Sequence, residues 1–154
     1  MVGVLTAHEV FNSKWPDAFL NGTIIALSAN AINLLDLRPG RACAAFFVGA
    51  AVIIAIHLAT HETLSPLWFV VIPAAAVYER DRRGLAMMGD TGSNLLGASL
   101  GVGILTIAGP ISVRLAILGV LAALHILAER ASITNIIEGN RFLKRIDSWT
   151  GRRA

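Results

Sequence analysis

Long uncharged segments dominate this sequence, and they limit its possible folds more than any single motif does. No charged residue lies between Asp90 and Arg114, a stretch long enough to cross a bilayer as a helix. Over the chain, 55% of residues are hydrophobic and 15% are charged, whereas about a quarter are charged in soluble domains. Backbone polar groups within lipid must be satisfied inside the segment, which favours helices. The sequence therefore predicts an all-α, polytopic membrane helix bundle.

About five segments have the character of transmembrane helices. They lie at residues 17–36, 42–59, 64–78, 90–109 and 111–128. Residues 1–16 are expected to form a loop or the edge of something longer, and residues 17–128 the transmembrane bundle. Residues 129–154 mix apolar and basic side chains, as in a cytoplasmic amphipathic segment that lies on an anionic membrane surface.

The positive charges are distributed unevenly among the loops. Lys and Arg are concentrated near Arg38 and Arg41, in residues 80–83 and in the tail, whereas the loops at 57–65 and 108–112 contain none. Loops rich in Lys and Arg remain on the cytoplasmic side of a membrane. We therefore expect a multi-pass protein of the cell membrane whose basic loops face the cytoplasm.

One polar motif lies directly before the long apolar segment that follows Asp90. It reads Met88-Gly89-Asp90-Thr-Gly-Ser. A helix that begins here presents unpaired amides and a positive dipole end beside an acid. Such an arrangement can hold a metal ion and a phosphate together. The alternative is that Asp90 only caps the helix.

A second polar motif reads Asn30-Ala-Ile-Asn33-Leu-Leu-Asp36 and is followed by Arg38 and Arg41. Steps of three residues place its polar side chains on one helix face. Near the end of a membrane helix such groups face protein or a water-filled cleft, although helix-to-helix hydrogen bonding also explains them. Both motifs are expected at the cytoplasmic face. Two acid motifs flanked by arginines predict a site for an anionic, metal-bound ligand.

Together the motifs resemble those of the polyprenyl-phosphate N-acetylhexosamine-1-phosphate transferase superfamily. It includes phospho-N-acetylmuramoyl-pentapeptide transferase and undecaprenyl-phosphate GlcNAc-1-phosphate transferases. The family pattern reads Asn-x-x-Asn-x-x-Asp-Gly-x-Asp-Gly, then Gly-Asp-x-Gly-Ser at the start of a later span. The resemblance covers roughly residues 17–130. It corresponds to the C-terminal half of a member with about ten spans.

This resemblance implies a Mg²⁺-dependent transfer of a sugar-1-phosphate from a UDP-sugar to a polyprenyl phosphate, in cell-wall or surface glycan synthesis. Asp90 matches the metal-binding aspartate of the family, and Asp36 the first aspartate of the first motif, for which we expect a catalytic role. Substrate contacts are expected from two asparagines and two arginines: Asn30, Asn33, Arg38 and Arg41. The implied partners are polyprenyl phosphate, a UDP-sugar and the lipid bilayer, without nucleic acid.

The sequence also departs from the family pattern. Leu37 and Pro39 replace the first glycine and second aspartate of the first motif, and no two acids are adjacent. Two acids remain where the family uses at least four. We therefore expect that these 154 residues alone do not catalyse the transfer and associate with a missing N-terminal half or with another copy. The alternatives are a non-catalytic scaffold of lipid-linked glycan assembly and a small transporter or channel subunit.

Overall fold

The computed structural model describes residues 15–60, 65–86 and 88–130. These residues form five α-helices and contain no strand. The helices are α1 (Trp15–Asn33), α2 (Arg41–Thr60), α3 (Trp68–Arg82), α4 (Gly89–Ile107) and α5 (Ile111–Arg130). The all-helical prediction is confirmed. Residues 1–14 of the predicted loop and residues 131–154 of the predicted basic tail lie outside the described residues, whereas residues 15 and 16 belong to α1 and correct the predicted loop at that end.

Glycines in the left-handed conformation mark the turns around the polar motifs. They are Gly40 (φ +80°), Gly84 (φ +68°) and Gly89 (φ +68°). At the end of α3, the N–H of Gly84 donates to the carbonyl oxygen of Asp81 at 2.8 Å, and that of Leu85 to Arg80 at 3.0 Å. This is the Schellman pattern of helix ends, which requires a residue without Cβ strain. Gly84 therefore fixes where α3 ends, and Gly40 and Gly89 lie where α2 and α4 begin.

Helices α1 and α4 pack antiparallel in the closest contact of the fold. A Cβ atom on Gly97 would lie 2.4 Å from the carbonyl oxygen of Ser28, and one on Gly101 would lie 2.8 Å from the Cα of Ile25. Ser93, one turn earlier, is completely buried. Small residues at four-residue intervals allow such close backbone packing between membrane helices. The four-residue spacing of Ser93, Gly97 and Gly101 in the sequence predicts such a small-residue face, and in the structure this face contacts α1.

The remaining helices are arranged around this pair. Helix α5 packs on α1, α2 packs beside α4, and α3 packs on α2. The apolar core lies between α2 and α4, where Phe46, Ile53, Leu96 and Leu100 are buried together. The polar motifs are therefore held at one end of a helix pair that α2 and α5 support from two sides.

An ion pair lies where α1 and α5 begin, at the end opposite to the polar motifs. Arg114 donates from Nη1 to Oδ1 of Asn21 at 3.0 Å, and its Nη2 lies 3.6 Å from a carboxylate oxygen of Asp17. Asn21 is buried and the ion pair is partly buried. A cation that is paired in this way is less costly beside apolar surroundings than an isolated one.

Two of the described helices, α2 and the Ile111–Ala128 part of α5, are long and apolar enough to cross a bilayer. No residue in that part of α5 is buried, so its large apolar side chains are not the core of this chain. Helix α3 has only 15 residues, or about 22 Å, which is short of a hydrocarbon core of about 30 Å. The expectation of about five transmembrane helices is therefore supported in part. Five helices are present among the described residues, and two of them are long and apolar enough to cross a bilayer.

Gly97→Ala should destabilise the chain by about 1–3 kcal/mol, because the new methyl group meets backbone atoms of α1 that cannot move aside cheaply. Gly119→Ala is the matched control, since no atom lies within 4 Å of its added Cβ. The control should be neutral or stabilising by up to about 1 kcal/mol. Thermal unfolding in detergent, followed by circular dichroism, measures both changes. Equal melting temperatures for the two variants would contradict the close α1–α4 contact.

Candidate functional site

A hydrogen bond joins the two polar motifs. The hydroxyl of Ser93 donates to Oδ1 of Asn33 at 2.7 Å. Asn33 is the last residue of α1, and Ser93 lies in the second turn of α4. The antiparallel packing of these helices brings together residues that are 60 positions apart. The expectation that both motifs lie at the same end of the bundle agrees with this contact.

Asp36 lies in the turn between α1 and α2, in an environment that disfavours its charge. Burial raises the pKa of this carboxyl group above its usual range, and the charges of Asp81 and Asp90 raise it further. Its Oδ1 atom is buried and has no hydrogen-bond partner among the described residues. A carboxylate in this position is stabilised by gaining a proton or a nearby cation. Perturbed acids of this kind are frequent in binding and catalytic sites.

Asp81 is a part of this site that the sequence interpretation missed. It lies in the last turn of α3 and is only 2% exposed. Its Oδ2 accepts the backbone N–H of Gly40 at 3.1 Å, and its Oδ1 accepts that of Met88 at 3.3 Å. An acid in the last helical turn faces the negative end of the helix dipole. The position of Asp81 in the last turn of a helix therefore indicates, from the sequence alone, that its carboxylate requires hydrogen-bond donors from outside that helix.

The predicted substrate-binding residues differ in their accessibility. Asn30 is exposed, and Arg38 is half-buried. Arg41, the first residue of α2, is only 6% exposed. Both arginines have interaction partners within the chain. Arg38 is therefore better placed than Arg41 to reach a ligand, and the role of each remains a prediction.

Part of the positive charge of residues 80–83, which form the last turn of α3 and its C-cap and not the loop expected from the sequence, is neutralised locally. Arg82 and Arg83 both donate hydrogen bonds to the carboxylate of Glu79. The bond from Arg82 is the main reason that the pKa of Glu79 lies below its usual value. All three side chains are solvent-exposed, at least in part. This network lies on the outer face of α3, whereas Asp81 of the same helix faces inward.

The acids fit a magnesium ion that arrives with a phosphate better than a resident metal. Among the described residues, no group of three or more His, Cys, Asp or Glu side chains could hold a metal ion. Mg²⁺ commonly uses only one or two protein carboxylates, together with water and substrate phosphates. Asp90 is exposed, and the unpartnered oxygen of Asp36 lies within its electrostatic influence. Asp90 can supply such a carboxylate, and Asp36 is close enough for the charges of the two residues to interact.

Comparison with known protein families, curated proteins and solved structures finds no match to this chain. The resemblance to the phospho-sugar transferases therefore depends on the two motifs alone. The contact between Asn33 and Ser93 shows that these motifs are adjacent in the folded chain.

Asp36→Asn should raise the melting temperature at neutral pH. Because the pKa of Asp36 is raised on folding, its ionised form destabilises the folded state, and the variant removes that charge. This cost is present above the raised pKa and absent below the pKa of the unfolded chain. The difference in melting temperature between the variant and the wild type should therefore shrink as the pH falls through the raised pKa.

Thermal unfolding in detergent with a chelator, between about pH 4 and pH 8, measures this difference. Asp17→Asn is the control, because Asp17 lies at the opposite end of α1 and pairs with Arg114. It should not stabilise the chain at neutral pH. An Asp36→Asn variant that is less stable than the wild type at pH 8 would show that the charge of Asp36 is satisfied.

Proposed function

We propose that this chain contributes part of the active site of a membrane enzyme that transfers a sugar-1-phosphate from a UDP-sugar to a polyprenyl phosphate. The hydrogen bond between Ser93 and Asn33 carries the proposal, because it brings two separate polar motifs to one end of the α1–α4 pair. Burial is the main cause of the raised pKa of Asp36, and the charges of Asp81 and Asp90 raise it further. Asp36 and Asp90 therefore share one electrostatic environment.

The proposed setting is a multi-pass bundle of about five transmembrane helices with the motifs on the cytoplasmic side. Two helices that meet the length and hydropathy criterion support membrane insertion. Exposed large apolar side chains on all five helices provide further support; examples are Phe19, Val52, Phe69, Leu95 and Leu127. A surface of this kind is costly in water and favourable in lipid.

Each residue of the site is given a role by its environment. Asp90, exposed in the first turn of α4, would hold Mg²⁺ beside the pyrophosphate of the UDP-sugar, and such an ion would supply positive charge against the phosphates. Asp36 carries a proton more readily than an ordinary aspartate, so its carboxyl group can donate a hydrogen bond that orients the lipid phosphate. Arg38 contacts phosphate oxygens, Asn33 orients Ser93, and Asn30 offers an exposed amide.

An apolar groove beside Asp36 gives the lipid chain a place to bind. Its volume is about 560 Å³, and it lies between the C-terminal parts of α1 and α5. The lining residues are Ala31, Ile32, Leu35, Val120, Ala123, Leu124, Leu127 and Ala128. Leu35 lines the groove and directly precedes Asp36 in the chain, so one end of the groove lies near the acid. We assign it to the isoprenoid chain, whose phosphate then reaches Asp36.

The site is complete only with a second membrane segment. Phosphoryl transfer depends on positioning and on charge stabilisation by several groups. Of the three described aspartates at this end of the bundle, Asp36 and Asp90 are open to a ligand, since Asp81 is buried against backbone amides. The further carboxylates belong to an N-terminal half or to another copy of the chain. The chain is thus proposed as one half of the enzyme.

UDP should bind to the full chain in lipid nanodiscs only when Mg²⁺ is present. Asp90→Asn should weaken that binding at least tenfold, or by about 1.4 kcal/mol, whereas Asp17→Asn at the far end should leave it unchanged. Isothermal titration calorimetry measures the affinities.

The same preparation with undecaprenyl phosphate and UDP-GlcNAc or UDP-MurNAc-pentapeptide should release no UMP. UDP binding that is independent of both Mg²⁺ and Asp90 would favour a non-catalytic scaffold, and robust UMP release would refute the half-site proposal.

Leu124→Trp should block the groove and weaken binding of a polyprenyl phosphate by about tenfold, without changing the affinity for UDP. Leu115→Trp is the matched control, because Leu115 is an exposed leucine of the same helix outside the groove. Displacement of a fluorescent isoprenoid phosphate by the unlabelled lipid gives the affinity of each variant. Equal affinities of both variants for the polyprenyl phosphate would show that the isoprenoid chain binds outside this groove.

A further inference from the structure

Asp81 has an environment that stabilises its carboxylate although almost no water reaches it. The side chain is 2% exposed, and α3 places its own negative dipole end beside it. Burial of an unpaired charge is costly. Each carboxylate oxygen of Asp81 instead accepts a backbone N–H: Oδ2 from Gly40 at 3.1 Å, and Oδ1 from Met88 at 3.3 Å. The charge is thus compensated by donors outside α3.

Both donors lie at the start of a helix. Gly40 immediately precedes α2, and Met88 immediately precedes α4. The amides at a helix start have no partner within the helix and carry the positive end of its dipole. The carboxylate of Asp81 therefore occupies the anion-binding position of two helices at once. It connects three helices that meet at the end of the bundle with the polar motifs.

These two helix starts belong to the two motifs. Gly40 closes the turn that contains Asp36, and Met88 precedes Asp90 by two residues. We infer that Asp81 is a positioning residue, a buried carboxylate that holds the turn of Asp36 and the first turn of α4 in fixed relation for ligand binding. The effect of Asp81 on ligand binding rests on the proposed function, whereas its hydrogen bonds to the two turns are independent of that function.

Hydrogen exchange of the full chain in nanodiscs, resolved by mass spectrometry, tests the hold on the turns. In Asp81→Asn, one acceptor oxygen and the charge are lost. Exchange should become about tenfold faster in the peptides that contain Gly40 and Met88 and stay unchanged in α5. Glu79→Gln removes the same charge from the same helix but from an exposed side chain, and it should leave both peptides unchanged. Unchanged exchange in Asp81→Asn, or equal acceleration along the whole chain, would overturn the inference.

A measurement on the unmodified chain does not depend on the folding of a variant. The amides of Gly40 and Met88, observed singly by nuclear magnetic resonance, should exchange at least about tenfold more slowly than in an unstructured peptide, because each is bound to a buried carboxylate. Exchange at the rate of an unstructured peptide at either amide would exclude the contact and overturn the inference.

Electron paramagnetic resonance of Mn²⁺ with UDP tests the effect on the ligand. The spectrum of bound Mn²⁺ should appear in the wild type and in Glu79→Gln, and the affinity should fall about tenfold in Asp81→Asn. Faster exchange in the two turns with unchanged Mn²⁺ affinity would overturn the positioning role. Protected amides in a wild type that binds no Mn²⁺ with UDP would support the hold on the turns and remove the proposed function.

Discussion

Close backbone contact between α1 and α4 is the interaction on which the rest of this structure depends. Gly97 and Gly101 allow α4 to approach the backbone of α1 near Ser28 more closely than any side chain would permit. Apolar side chains gain little by moving from lipid to a protein interface, so membrane helices associate through packing and hydrogen bonds. Because the helices are antiparallel, this contact also places Asn33 beside Ser93.

Two neighbouring carboxylates at this end of the bundle have opposite environments. Both oxygens of Asp81 accept hydrogen bonds from backbone amides, although the side chain is buried. Asp36 has a buried oxygen that no described residue meets with a hydrogen bond, and burial, with a smaller contribution from the charge of Asp81, raises its pKa. Asp81 thus holds two backbone turns, whereas Asp36 keeps an oxygen that a ligand can satisfy. Proteins maintain such destabilising groups where binding or chemistry requires them.

The elements that depend on local sequence could be predicted. The helices follow the apolar segments, and the first motif is followed by a turn at Gly40, as the Pro-Gly pair indicates. The small-residue face of α4 was also evident from its spacing. Asp81 was missed, because its donors lie 41 residues away at Gly40 and seven away at Met88, and only the packing of α3 brings them together. The accessibility of Arg38 and Arg41 likewise depends on how α2 packs.

The sequence by itself determined that the chain is helical, where its helices break, and which residues carry charge beside the apolar segments. These properties follow from backbone hydrogen bonding, from glycine and proline geometry and from side-chain polarity, all of which act between near neighbours. Only the tertiary structure decided that Asn33 meets Ser93, that Asp81 is buried between two helix starts, and that Asp36 is left with an unsatisfied oxygen. Those contacts join distant residues, and the packing of α1 and α3 against the other helices sets them.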